Sequence, residues 1–266
     1  MTHFPRPLLA TALTLVLTGP AIAQDDLPPG LRGAQLLPGW TEPGGARILA
    51  LELLLEPGWK TYWRSPGDTG LPPQLEWAGS RNLSHVTLHW PAPQTIRSGE
   101  TLEMGYHDRL VLPLTAHPQD PGKPVDIAAQ IDLGLCENIC VPVHLELQAP
   151  PVGTQSDPVI ASALAAEPQR LDGNPACEVT PLADGLRVAM DLPQGPATLA
   201  AVELTDNPQV WVSAADILPG PTGPQAVVEM VAPSGKPFDL DHDALRLTVI
   251  PADGGRATET TGCAAD

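Results

Sequence analysis

The chain is poor in positive charge. Its 266 residues carry 14 Lys and Arg against 31 Asp and Glu, a formal net charge of −17. Only Lys60, Lys123 and Lys236 bear ammonium groups. Phosphate backbones are held by clustered Lys and Arg, so nucleic acid is not an expected partner. Beyond the first residues no apolar run approaches the roughly 20 residues that a membrane-spanning helix needs. No glycine-rich phosphate loop follows a strand, no G-x-S-x-G elbow is present, and no repeat of fixed period runs through the chain. The dispersed acidic residues read as a solvated face, able to complement a basic patch on a partner.

Proline, by contrast, is abundant: there are 33, with 24 glycines. Each proline removes a backbone donor and clashes inside a helix, which argues against a helical bundle and for a β-protein with many turns and edge strands. With 42% hydrophobic residues, the chain is apolar enough for packed cores in one large or two ordinary domains.

The start is set apart. Arg6 precedes the apolar run Leu8 to Leu17, followed by Gly19, Pro20 and Ala21-Ile22-Ala23. A basic start, a short apolar stretch and an A-x-A end describe a secretory signal peptide. Residues 1–23 are therefore expected to be cleaved near Ala23, and in a Gram-negative cell the mature chain is expected in the periplasm, with no transmembrane segment.

The rest reads as an all-β protein in two halves. Ala46 to Glu56 alternates as a half-buried strand and is closed by Pro57-Gly58. Strands are expected at Trp59 to Trp63, Gln74 to Trp77, Val86 to Trp90, Arg109 to Ala116, Val125 to Leu135 and Val141 to Gln148. Short strands with frequent turn signals indicate a β-sandwich over 24–150. Five of the six tryptophans lie between Trp40 and Trp90 and are expected to pack within it. Residues 151–170 read as a linker with a short helix from Ser156-Asp157-Pro158 to Ala166. Residues 171–266 resume strand texture at Leu186 to Leu192, Ala197 to Leu204, Gln209 to Val212, Ala226 to Val231 and Leu245 to Ile250. They are read as a second, smaller β-sandwich, with a tail after Pro251 that is loose except where Cys263 ties it.

The cysteines are Cys136, Cys140, Cys177 and Cys263. Export places them where disulfides persist. Four cysteines allow three pairings, and spacing favours Cys136 with Cys140 and Cys177 with Cys263. By loop-closure entropy the long-range bond stabilises by roughly 4–5 kcal/mol and the short one by only about 2. Cys177–Cys263 is thus a structural staple, while the short pair invites a chemical role. Along one strand, residues four apart are about 13 Å apart, too far for a disulfide. If Glu137-Asn138-Ile139 forms a hairpin loop, with Asn138 taking the left-handed conformation, the two cysteines face each other at an accessible tip.

Three stretches carry a resemblance: Gly58-Trp59-Lys60-Thr61-Tyr62-Trp63-Arg64-Ser65-Pro66-Gly67-Asp68, Gly105-Tyr106-His107-Asp108-Arg109-Leu110-Val111-Leu112-Pro113-Leu114, and Leu135-Cys136-Glu137-Asn138-Ile139-Cys140-Val141-Pro142. Over about residues 40 to 150 the chain resembles the periplasmic N-terminal domain of the thiol:disulfide interchange protein DsbD, especially the version in copper-sensitivity suppressor (ScsB-type) reductases. The resemblance implies an immunoglobulin-like β-sandwich whose cysteine pair passes electrons from a membrane-embedded DsbD/ScsB-type donor to periplasmic thioredoxin-fold proteins. It assigns the partner-linked cysteine to Cys140 and the resolving one to Cys136. Where the family's cap loop shields the disulfide with an aromatic side chain, this chain offers Leu102 or Met104.

Thiol–disulfide exchange needs no cofactor. His144, four residues after Cys140 on the same strand face, is a candidate proton relay; His107 and Asp108 are weaker candidates. His85 and His89 share a face only if helical, and Val86-Thr87-Leu88 favours a strand, so no zinc site is expected there and no metal is assigned. Two rival readings remain: a Cu(I)-binding module using Cys136, Cys140 and Met104 as soft ligands, and an interaction scaffold with two structural disulfides.

Overall fold

Alternating and wholly apolar runs build an almost entirely β architecture. A computed structural model describes residues 27–99, 101–193, 195 and 197–265; the signal peptide expected at 1–23 and its cleavage site lie outside the described residues. The first half contains β1 (Leu31–Thr41), β2 (Arg47–Leu55), β3 (Lys60–Tyr62), β4 (Gln74–Glu76), β5 (Leu83–Leu88), β6 (Gln94–Ser98), β7 (Thr101–His107), β8 (Arg109–Pro118), β9 (Ala128–Cys136) and β10 (Cys140–Gln148). These form two sheets, ordered β1-β2-β8-β5 and β10-β9-β3-β7-β6, with β4 added beside β9. Leu49, Leu51, Leu53 and Leu55 of β2 face Ile131, Leu133 and Leu135 of β9 across one core, which also takes in Trp63, Trp90, Met104 and Tyr106. The period-2 rule then puts Gln130, Asp132, Gly134 and Cys136 on the outer face of the second sheet.

The short helix α1 (Pro158–Ala165) starts where the sequence places it, with the Asp157 side chain accepting from the Val159 N–H at the N-cap. It packs on β8.

The second half contains β11 (Gln169–Arg170), β12 (Ala176–Pro181), β13 (Leu186–Asp191), β14 (Ala197–Leu204), β15 (Trp211–Val212), β16 (Asp216–Pro219), β17 (Pro224–Val231), a 3-10 turn at His242–Ala244, β18 (Leu245–Pro251), β19 (Thr258–Thr261) and β20 (Ala264–Ala265). Its sheets run β11-β19-β18-β14 and β15-β17-β13-β12-β20, with β16 beside β17. A separate core gathers Val188, Met190, Val202, Val228, Met230, Leu245 and Leu247 around Cys177 and Cys263. The tail after Pro251 is not loose: β19 pairs with β18 and β11, and β20 pairs in parallel with β12. Two-residue parallel pairings leave no periodicity to read, which is why strand texture fails there.

A charged cluster joins the halves. Arg64 donates from Nε to Glu203 at 3.0 Å and from Nη2 to Glu259 at 2.6 Å, and Arg246 holds Glu203 from the other side at 2.9 Å. Asp68 accepts from the Ala214 N–H at 2.6 Å. A cleft of 630 Å³ lies between them, lined in part by Trp90, Leu102, Met104 and Trp211.

Candidate functional site

Cys136 ends β9 and Cys140 opens β10, and the two are direct cross-strand partners. The intervening residues 137–139 turn the chain, so Cys136 and Cys140 are bonded, with a Cα–Cα distance of 4.1 Å. Asn138 does not take a left-handed conformation: among the described residues, the non-glycines with positive φ are Asn82 and Asp108. The two sulfurs have unequal surroundings. Cys136 is 2% exposed, whereas Cys140 lies at the surface beside Ile139, which is 73% exposed.

The outer sheet face under the disulfide is polar and covered. Lys60 pairs across the strands with Cys136 on one side and His107 on the other. Two residues along β3, the Tyr62 hydroxyl donates to Cys136 Sγ at 3.2 Å and lies 3.5 Å from Cys140 Sγ. Lys60 Nζ is paired with Glu103 at 2.5 Å, and Thr69 donates to the same carboxylate at 2.6 Å. Burial, reinforced by the negative charge of Glu103, pushes the Tyr62 phenol up to about 12. The phenol therefore stays protonated at physiological pH and remains a hydrogen-bond donor towards sulfur.

The segment 65–73 lies over this face. Leu71 packs against Gly134, where an added Cβ would come within 2.9 Å of the Leu71 Cβ, and a Cβ at Gly70 would meet the Tyr62 ring at 2.9 Å. Glycine at these two positions lets the loop lie flat on the sheet. Leu71 is left 47% exposed beside Gly134, the cross-strand partner of Pro142, and Ile139 and Pro142 add exposed apolar surface on either side of Cys140.

This corrects the expected shield. Glu103 and Gly105 lie on the Tyr62 face of β7, so by alternation Leu102 and Met104 belong to the opposite face. Met104 is 4% exposed within the core between the sheets, and Leu102 lines the cleft to the second half. Neither covers the disulfide, and Met104 does not join Cys136 and Cys140 as a third soft ligand. The loop after β3 instead covers the neighbouring part of the same face, at Gly134 and Tyr62.

His144 does share the outer face with Cys140, but its Nδ1 is bonded to Asp132 at 2.8 Å, its cross-strand partner. That hydrogen bond raises its pKa. Four residues of strand, about 13 Å, separate it from Cys140, too far for a direct relay. His107 lies two strands from Cys136 and turns Nδ1 to the Trp59 carbonyl at 3.0 Å. His85 sits on a strand, as its neighbours predict, and stacks on His117 with ring centroids 4.1 Å apart. Cys177 and Cys263 are bonded and buried in the second core.

Tyr62, Lys60, Glu103, Thr69 and Leu71 were not singled out from sequence as site residues. The available signal was charge where it does not belong: Lys60 and Glu103 interrupt otherwise buried strands.

Against known proteins, residues 33–150 match the family model described as "Thiol:disulfide interchange protein DsbD, N-terminal". No curated protein matches the chain closely enough to count as a relative. Among solved structures, the chain is similar to the N-terminal periplasmic domain of ScsB from Proteus mirabilis, with a TM-score of 0.60 and 20% identity over 86% of this chain and 91% of that one. At that identity the likeness is one of fold, and it extends through both halves. The β-sandwich of residues 33–150, with its bonded cysteine hairpin, is therefore a domain of the DsbD N-terminal type.

Proposed function

We propose that this chain is a periplasmic thiol–disulfide interchange protein that passes electron pairs through Cys136 and Cys140 to or from thioredoxin-fold partners. The observation that carries this reading is the asymmetry of the pair: Cys140 at the surface, Cys136 buried, and the Tyr62 hydroxyl within reach of both sulfurs. A partner can approach only one sulfur, while the other is kept for the second step.

In the reducing direction, the Cys140 thiolate attacks one sulfur of a partner disulfide. The partner's S–S bond breaks, a mixed disulfide forms, and the partner's other sulfur leaves as a thiolate. The Cys136 thiolate then attacks Cys140 Sγ, closing the Cys136–Cys140 bond and expelling the partner's first sulfur. Two electrons have moved from this protein to the partner, and reversal recharges it. Tyr62 acts on the buried member: a neutral phenol stabilises the Cys136 thiolate by a charge-assisted hydrogen bond, without the unpaired charge that burial penalises. The apolar rim of Ile139 and Leu71 supports docking of a partner's own apolar active-site surface.

The signal-like residues 1–23 and the family support export to the periplasm, where the donor is a membrane-embedded DsbD/ScsB-type protein. No described helix is long and apolar enough to cross a membrane.

A redox titration with thiol trapping tests the proposal. The folded protein is expected to equilibrate between roughly −120 and −270 mV, the range of exchange proteins. Trapping should give a mixed disulfide through Cys140. A pair that stays oxidised well below about −300 mV, as structural disulfides do, would sink it.

A further inference from the structure

Cys177, Cys263 and His242 form a second sulfur-containing cluster that the exchange mechanism does not use. Both sulfurs and a ring nitrogen of His242 lie within 4.8 Å of one another. The three residues come from separate segments tied together by the backbone. The Cys263 N–H donates to the His242 carbonyl at 3.2 Å and the Ala264 N–H donates to the Pro175 carbonyl at 2.9 Å. Cys177 is the register partner of Ala265. Both cysteines are at least 95% buried, and His242 is half-buried.

We propose that, when this disulfide is reduced, Cys177, Cys263 and His242 bind one Zn²⁺ ion. Two thiolates and an imidazole are the donor set of a three-ligand zinc site with an open fourth position. With Zn–S bonds of about 2.3 Å in tetrahedral geometry, the sulfurs must stand roughly 3.7 Å apart. The Cα–Cα distance of 5.7 Å accommodates that separation by side-chain rotation, without moving the strands. The imidazole is already in place, held by the turn that carries it.

The step balances. A dithiol donates two electrons and two protons to the Cys177–Cys263 bond and is itself oxidised to a disulfide. Zn²⁺ then displaces the two thiol protons as it binds the thiolates. The metal holds the pair reduced, and two-electron oxidation to the disulfide expels it. The site is independent of Cys136 and Cys140.

The test uses the whole chain carrying Cys136→Ser and Cys140→Ser, so that the second pair supplies the only thiols. The protein is reduced with a phosphine, freed of reductant under argon and titrated with Zn²⁺ alone. We expect one zinc per chain by native mass spectrometry, none in the oxidised protein and none when Cys263→Ser is added. His242→Ala, which keeps both thiols, should weaken binding at least ten-fold in competition with a chromogenic chelator. Melting provides the control for folding: zinc should raise the melting temperature of the reduced protein, and raise it less in His242→Ala. No zinc uptake, unchanged affinity in His242→Ala, no zinc-dependent rise in melting temperature, or uptake of Cu⁺ without Zn²⁺ would each overturn the assignment.

Discussion

Cys136–Cys140 spans a sequence separation of 4 and Cys177–Cys263 one of 86. The first pair lies on an outer sheet face with one sulfur at the surface; the second has both sulfurs inside a core. Tyr62 and a buried ion pair attend the first, and a lone histidine the second. Loop-closure entropy makes the long bond the better staple, and access makes the short one the better reagent. On the proposed function, one protein carries a disulfide suited to exchange and another suited to hold, because the two demands fall on different neighbours.

Exchanging the roles of the pairs by mutation gives the largest effects. Cys140→Ser should reduce exchange with a thioredoxin-fold partner to background, while costing only about 2 kcal/mol of stability. Cys263→Ser should leave the exchange rate near normal and cost about 4–5 kcal/mol. Stopped-flow exchange assays and urea melts of both variants check this; normal exchange by Cys140→Ser would erase the distinction.

Next comes the contact between the two regions. Arg64→Met leaves Glu203 with Arg246 alone and strips Glu259 of its closest partner. Breaking such a pair costs about 3–5 kcal/mol. Calorimetry should then show the halves melting apart, and a single unshifted transition would contradict the link.

A smaller effect is expected at Tyr62→Phe, which keeps the ring and removes the donor to sulfur. A charge-assisted hydrogen bond worth about 1.5–3 kcal/mol predicts at least ten-fold slower resolution of the mixed disulfide and a raised Cys136 thiol pKa. Thiol alkylation against pH would reveal both, and an unchanged profile would remove Tyr62 from the mechanism.

The smallest effect belongs to His144. Its pKa is raised by the hydrogen bond to Asp132, so the stabilisation this pair adds is complete below the unfolded histidine's pKa, about 6.5. It is lost as pH rises through the higher folded value. Because the pair is exposed, His144→Gln should slightly flatten the fall in stability as pH rises above about 6.5 and leave exchange untouched. A change in the pH profile of exchange would restore His144 as a relay.

Much of this contrast was legible in the residues. A Cys136–Cys140 bond, favoured by spacing, was possible only with a hairpin at 136–140, and apolar alternation located β2, β8, β9, β10, β14 and β18. Asp157 before Pro158 marked the helix. What alternation could not show is which face of a strand a distant loop will cover. Met104 was the natural shield on the assumption that the segment before Gly105 folds over the disulfide. It is the loop after Tyr62 that lies on this face, beside Gly134, because glycines at 70 and 134 give it room. The closing strands were equally hidden: β19 and β20 are short, their sequence is polar or small, and their parallel partners lie about 90 residues away in sequence.

Those late pairings impose an order in time. A chain that emerges N-terminus first can complete the strands of its first two sheets once Gln148 is out, and can bond Cys136 to Cys140 with neither remaining cysteine yet present. Cys177 must then wait, because its partner follows it by a sequence separation of 86 and the strand that seats it, β20, comes later still. By that time two of the four thiols are already consumed, and the three conceivable pairings have been reduced to one by the order in which the chain reaches an oxidising compartment.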